Sequence, residues 1–103
     1  MGEIEGLHTP HSAELLIRKI AADSAKVFFS SHAKVRMRER KVTDLQIIRC
    51  LQTGTVTEGP FRNIHGNWQV NVDAYHSGQN LKVGAVIDTD EKGNKIIVLT
   101  VMK

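Results

Sequence analysis

The chain has 103 residues, of which 41% are hydrophobic and 24% charged, and its formal net charge is +3. This length and composition predict one soluble globular domain and exclude a disordered chain. The single cysteine, Cys50, cannot form an internal disulfide and favours a reducing, cytoplasmic setting. We expect no membrane association, because no apolar run is long enough to span a bilayer and no signal-peptide pattern is present.

The amino-terminal quarter of the chain predicts one helix. Residues up to Pro10 form an irregular lead-in, and Ser12 offers an N-cap. The apolar residues that follow lie near one side of a helix: Leu15, Leu16, Ile17 and Ile20. We interpret residues 1–26 as an amino-terminal extension with one helix, and residues 27–103 as a single α+β domain that begins with a short extended or buried link at residues 27–29.

Two more helices follow this link. The basic segment predicts a helix that begins at Ser30 or Ser31 and ends between residues 40 and 42. Residues 43–46 have the form of a capping box that begins a third helix with a broad apolar arc. Gly54 stands where a left-handed residue is expected to end that helix.

After the third helix the apolar period changes from about three and a half residues to two, which indicates strands. Residues 68–75 and 81–87 alternate between apolar and more polar positions, and residues 95–102 predict a central strand covered on both sides. Residues 55–64 add an edge strand that is interrupted at residues 59–60. The sequence therefore predicts an α+β fold in which helices pack on one face of a four-stranded, mainly antiparallel sheet.

The excess positive charge is concentrated in the second helix, where five basic residues accompany one acid between positions 34 and 41. At about 100° per residue, the helix separates this segment into two groups. One side carries the groups suited to chemistry: His32, Arg36 and Arg40. The other side carries what we call the outer basic group: Lys34, Arg38 and Lys41. The outer basic group is typical of a solvated face, and an anionic partner is expected.

Roughly residues 28 to 103 resemble the domain of unknown function 4258 family. The resemblance rests on the string His32-Ala33-x-x-Arg36-Met37-x-x-Arg40, on the capped helix that ends at Gly54 and on the final apolar strand. That family has been grouped with toxin-like proteins of the barnase, EndoU, colicin and RelE type of ribonuclease fold. The resemblance implies a RelE/barnase-like, metal-independent endoribonuclease that needs no cofactor, or a relative that keeps the fold without the activity. RNA is the expected partner, and an antitoxin-like protein that covers the basic site is a second candidate.

The residues supply part of the chemistry that metal-free RNA cleavage needs. The imidazole of His32 can exchange a proton near neutral pH, and Arg36 and Arg40 can hold a phosphate through paired N–H donors. Thr100 matches the polar position of the family's last strand and could position the phosphate or the histidine. The outer basic group would attract RNA. A second obvious acid or base is missing.

Each candidate residue also has a structural interpretation, which stays open at this point. His32 can cap or pack at the start of the helix, and Thr100 can be an ordinary strand residue. Arg36 and Arg40 can form ion pairs with carboxylates: Glu39, Glu58 or Asp73.

Three other residues are interpreted as structural. Trp68 and Tyr75 lie on opposite strand faces and so do not form a base-stacking platform. Cys50 is interpreted as a small packed residue, not a nucleophile.

The alternative to the enzyme is a non-catalytic module that binds nucleic acid or an acidic protein through the same basic helix.

Overall fold

The computed structural model describes residues 9–76 and 78–102, so the predicted lead-in before Thr9 lies outside the described residues. The helices are α1 (Pro10–Ala21), α2 (Ser31–Arg40) and α3 (Asp44–Thr53), with a 3₁₀ turn at Ser24–Lys26. The strands are β1 (Val27–Phe29), β2 (Thr55–Arg62), β3 (Trp68–His76), β4 (Gln79–Asp90) and β5 (Gly93–Met102).

Hydroxyl side chains begin all three helices. Thr9, not Ser12, caps α1: its hydroxyl accepts from the Ser12 N–H, and Ser12 completes a capping box at the third helical position. The prediction was wrong because Pro10 fits the first helical position, where its missing N–H costs nothing. The predicted caps of the other two helices are confirmed, with Ser30 on α2 and a capping box at the start of α3.

Gly54 ends α3 as predicted, but its backbone is extended, with φ −79° and ψ 178°. A glycine is required there for space and not for handedness. A Cβ at Gly54 would lie 2.6 Å from the Cys50 carbonyl oxygen and 2.7 Å from that of Asp73. The left-handed cap belongs instead to Lys41, which follows α2 with φ 56° and ψ 47°.

The sheet has five strands in the order β1-β5-β4-β3-β2, so the prediction of a four-stranded sheet was wrong. The predicted link at Val27–Phe29 is strand β1, which pairs parallel to β5 with Phe28 opposite Ile97. Three residues are too few for an alternating pattern to be recognised. The other pairs are antiparallel, so the sheet is mixed. β2 is the edge strand, and its pairing with β3 is irregular between Glu58 and Phe61, as residues 59–60 predicted.

The buried residues of the three helices meet one face of the sheet and form one core with alternate residues of β3, β4 and β5. On β5 this face carries Ile96, Val98 and Val101, which are all fully buried. The other face, which we call the open face, is less covered, because Ile97 on β5 is only half-buried. The prediction that β5 is covered on both sides is therefore met in full on the helix side and only in part on the open face, where Val86 is buried and Ile97 half-buried.

Two hydrogen bonds, made by the partners of an ion pair within α1, fasten this helix to the junction between α3 and β2. Arg18 Nη2 lies 3.2 Å from Glu14 Oε2 and donates to the Gly54 carbonyl oxygen at 3.1 Å. Glu14 Oε1 accepts from the Val56 N–H at 3.0 Å. The apolar side of α1 also enters the common core through Ala13, Ile17, Ile20 and Ala21. The predicted boundary after residue 26 stays a prediction, but deletion of residues 1–26 would open this core.

Substitution of Gly54 by Ala should destabilise the protein by about 3 kcal/mol, because the added methyl group would meet two backbone oxygens that cannot rotate away. Gly66→Ala is the control: nothing lies within 4 Å of its Cβ position, but its φ is +79°, so about 1 kcal/mol of backbone strain is expected. Chemical denaturation of both variants gives the comparison. Equal losses would contradict the packing explanation.

Candidate functional site

The first turn of α2 is tied to β5. The Ser30 N–H donates to the Val98 carbonyl oxygen at 2.9 Å, and the Ser30 hydroxyl donates to the Leu99 carbonyl oxygen at 3.2 Å. The same hydroxyl accepts from the Ala33 N–H at 3.0 Å, which caps the helix. The start of α2, including His32, is therefore held beside the segment of β5 that leads into Thr100.

α2 lies at the edge of the core. Ala33 is fully buried and Met37 packs against the core, so this stripe of the helix faces inward. Arg36 and Arg40 flank the stripe and are half-buried, whereas His32 is exposed. All three members of the outer basic group are exposed as well. The helix thus presents its two inner arginines at a boundary between protein and solvent.

Arg36 has one loose partner. Its Nη1 lies 3.5 Å from Glu39 Oε1, and the two side chains are 35% and 56% exposed. Its Nε is buried and has no hydrogen-bond partner within residues 9–76 and 78–102. An exposed ion pair contributes little to stability, while a buried N–H without an acceptor is unfavourable. Arg36 can therefore exchange the Glu39 contact for an anion at the exposed part of its guanidinium at little cost.

Thr100 belongs to the open face and packs above a glycine. A Cβ at Gly84 would lie 3.0 Å from Thr100 Cγ2 and 3.2 Å from Asn71 Oδ1. Asn71 in turn donates its amide N–H to Glu58. In the described part of the chain, no hydrogen bond or ion pair joins His32 to Arg36, or either of them to Thr100. The anchor at Ser30 brings the start of α2 near Thr100 without a direct side-chain bond.

Two carboxylates of the open face lie near lysines. Asp73 Oδ1 is 4.0 Å from Lys82 Nζ, and Asp88 Oδ2 is 3.8 Å from Lys95 Nζ. The Thr57 hydroxyl also donates to Asp73 at 3.1 Å. Much of the negative charge on this face is therefore neutralised, and Asp73 is paired with a lysine.

One aromatic residue near this site was missed in the sequence. Phe28 is 50% exposed, and Lys95 Nζ lies 5.6 Å from the centre of its ring. The sequence does not reveal its exposure, because Val27, Phe28 and Phe29 are all apolar; the alternation of a buried Val27 with an exposed Phe28 is visible only in the structure. Trp68 packs against the core and Tyr75 is 70% exposed, which agrees with their predicted opposite faces.

Cys50 is a packed residue, as predicted. It is fully buried, and its Sγ lies 3.7 Å from the Val72 carbonyl oxygen and 3.8 Å from that of Leu81. Burial, with a smaller effect of Asp73, raises the pKa of the thiol to about 12. The neutral thiol is a poor nucleophile.

A groove of about 660 Å³ lies elsewhere, between α3 and the β3–β4 hairpin. Its lining includes Val42, Leu45, Ile48 and Leu81, together with several amide side chains. It contains none of the predicted site residues, so the candidate site is a surface beside β5 and not this groove.

The fold is thus an α+β domain with a basic helix fixed to the last strand of a mixed sheet. The chain belongs to the family described as Domain of unknown function (DUF4258), whose model matches residues 29–103. No curated protein and no solved structure matches it. None of the helices in the described ranges is long and apolar enough to cross a membrane. Within the same ranges, no three His, Cys, Asp or Glu side chains are grouped to hold a metal ion.

Cys50 should resist a chromogenic thiol reagent in the folded protein at about pH 8 and react rapidly in concentrated guanidinium. The raised pKa also sets the sign of a stability effect. Above the ordinary value of 9.0 the unfolded thiol ionises while the folded thiol keeps its proton up to about 12, so the free energy of unfolding should fall across this window. In the Cys50→Ala variant, the free energy of unfolding should fall less steeply with pH across the same window. Rapid labelling of the folded protein would contradict the assignment.

The two ion pairs within helices should differ in their contribution to stability. Glu39→Ala should change the free energy of unfolding by less than about 0.5 kcal/mol, because the pair with Arg36 is exposed. Glu14→Ala should cost about 2 kcal/mol, because Glu14 is 16% exposed and accepts from the Val56 N–H. Urea denaturation measures both. A larger loss at Glu39 would indicate that Arg36 is held for structural reasons.

Proposed function

We propose that this protein is a metal-independent endoribonuclease of the toxin-like, RelE/barnase-like type, which acts in the cytoplasm at His32, Arg36, Arg40 and Thr100. The observation that carries the proposal is the anchoring of α2 to β5 through Ser30, since it fixes the first turn of α2, which carries the exposed His32, at the β5 residues that precede Thr100. Membership of the family over residues 29–103 is consistent with it.

In the proposed reaction the RNA 2′-oxygen attacks the adjacent phosphorus and the bond from phosphorus to the 5′-oxygen breaks. The 2′-hydroxyl loses a proton and the leaving oxygen gains one, so a group that exchanges protons near neutrality is required. His32 supplies that group. Arg36 donates to the non-bridging oxygens, where negative charge increases in the transition state. The products are a 2′,3′-cyclic phosphate and a 5′-hydroxyl.

The outer basic group has a separate part in the proposal. Lys34 and Arg38 lie on the solvent side of α2 and Lys41 caps its end, and all three are exposed. Exposed cations attract the phosphate backbone without reading its sequence, and this attraction weakens as salt rises. The outer basic group would therefore raise the local concentration of RNA while Arg36 and Arg40 position one phosphate. An antitoxin-like protein that covers α2 would block both steps.

The alternative function is a non-catalytic module that binds nucleic acid or an acidic protein through the same helix. It is favoured by the surroundings of His32: within the described residues, no hydrogen bond orients its ring. General acid–base catalysis benefits from such orientation, whereas phosphate binding by arginines does not depend on it. The two functions share Arg36 and the outer basic group but differ in their need for His32.

Single-turnover cleavage of labelled single-stranded RNA in the presence of a chelator separates the two functions. His32→Ala should lower the rate about 10²-fold to 10⁴-fold while leaving RNA affinity nearly unchanged. Arg36→Ala should lower both the rate and the affinity. Arg38→Ala is the matched control on the outer side of the same helix. It should weaken RNA affinity at low salt and have little effect on the rate at which bound RNA is cleaved.

Mapping of the RNA ends should identify a cyclic phosphate. If His32→Ala cleaves as well as the parent protein while Arg36→Ala binds less RNA, the catalytic proposal fails and the binding module stands. The same conclusion follows if the parent protein binds RNA without cleaving it.

A further inference from the structure

Phe28 is an exposed aromatic ring on the open face of the sheet, in the strand that leads into the basic helix. It lies on β1 opposite Ile97, two residues before the Ser30 anchor. Half of its surface remains accessible, although its neighbours Val27 and Phe29 are buried or half-buried. Exposing a ring of this size is unfavourable in water, and the ring helps to cover no part of the main core.

The position of the ring relative to the proposed site follows from the sheet. Ile97, opposite Phe28, and Thr100 are three residues apart on β5, or about 10 Å at the usual rise of a strand. Phe28 and the first turn of α2 are joined directly along the chain. The sugar and phosphate of one nucleotide can bridge such a separation, with the base at one end and the phosphate at the other.

The charges around the ring suit a nucleic acid. Lys95 Nζ lies 5.6 Å from the ring centre and 3.8 Å from Asp88 Oδ2, so the lysine next to the ring also neutralises an acid. The basic helix α2 begins immediately beyond Phe28 along the chain. An aromatic face next to cations, with nearby carboxylates paired, is the combination that holds single-stranded nucleic acids by base stacking.

We propose that Phe28 is the stacking platform for the nucleobase adjacent to the phosphate held at α2, and that the ligand is single-stranded RNA. The inference rests on the proposed function for the identity of the neighbouring phosphate. Base stacking has no strong sequence preference, because every base has an aromatic face. Phe28 is thus a positioning residue that fixes where along the strand the phosphate meets Arg36.

Other exposed aromatic residues provide matched controls. Phe61 is 46% exposed, close to the value for Phe28, but it lies on β2 at the opposite edge of the sheet. Phe28→Leu keeps an apolar side chain on β1 and removes the aromatic face, while Phe28→Trp keeps the face. Comparison of the melting temperatures of these variants with that of the parent shows whether β1 is intact.

The experiment measures the affinity of RNA hexanucleotides that contain one 2-aminopurine base, in a His32→Ala background so that cleavage does not interfere. Phe28→Leu should lower affinity about 10-fold and abolish the quenching of 2-aminopurine fluorescence at one position. Phe28→Trp should restore both, and Phe61→Leu should change neither. When an abasic nucleotide occupies that position, no base is left to stack, so Phe28→Leu should bind the RNA as well as the protein that keeps Phe28.

The outcomes separate this inference from the proposed function. Unchanged affinity and quenching in a folded Phe28→Leu variant would overturn the stacking inference even if the parent protein cleaves RNA. If stacking is lost in that variant and the parent protein does not cleave RNA, the stacking inference is supported and the proposed nuclease function is refuted. An equal loss of affinity and quenching in the Phe61→Leu variant would also overturn the inference, because it would indicate a nonspecific effect.

Discussion

The parallel pairing of β1 with β5 is the constraint on which the candidate site depends. Only three residues pair, but they align the chain so that Ser30 can bond to the backbone of β5 at two successive carbonyl groups. The helix that follows then begins at a fixed place beside the last strand. Without this pairing, the basic segment would be a charged helix with no defined neighbour. The pairing therefore gives the basic segment a fixed position beside β5.

Two arginines in similar sequence settings differ in their partners and not in their exposure, since the side chains of Arg18 and Arg36 are 40% and 35% exposed. Arg18 and Arg36 each pair with a glutamate within one turn of their own helix. Arg18 also reaches the Gly54 carbonyl oxygen, where α1, α3 and β2 meet, and this contact fastens the scaffold. Arg36 has only the loose contact with Glu39 among the bonds between described residues, while an unsatisfied Nε is common to both arginines. The scaffold arginine is committed to structure, whereas the site arginine keeps donors available for a ligand.

Much of the fold could be predicted from the sequence, because the capping box of α3 and the alternation in β3 and β4 are local signals. β1 was missed because three residues carry no readable period. The extended backbone at Gly54 was missed because the close approach of α3 to β3 is a tertiary contact. For the site, helical phase predicted that the inner arginines differ from the outer basic group. It could not predict the anchor at Ser30 or the exposure of Phe28, since both depend on β5, about seventy residues later.

The distribution of charge suggests why binding and positioning are separated on this surface. The outer basic group faces solvent, where its attraction is long-ranged but screened by salt. On the open face, Asp73 and Asp88 are paired with lysines, so these two carboxylates would repel an RNA strand less. Attraction by α2 alone would allow the strand to slide, because phosphates repeat regularly. A ring that stacks one base removes this freedom, and it does so without requiring a particular sequence. The proposed surface would therefore select single-stranded RNA by its accessible bases more than by their identity.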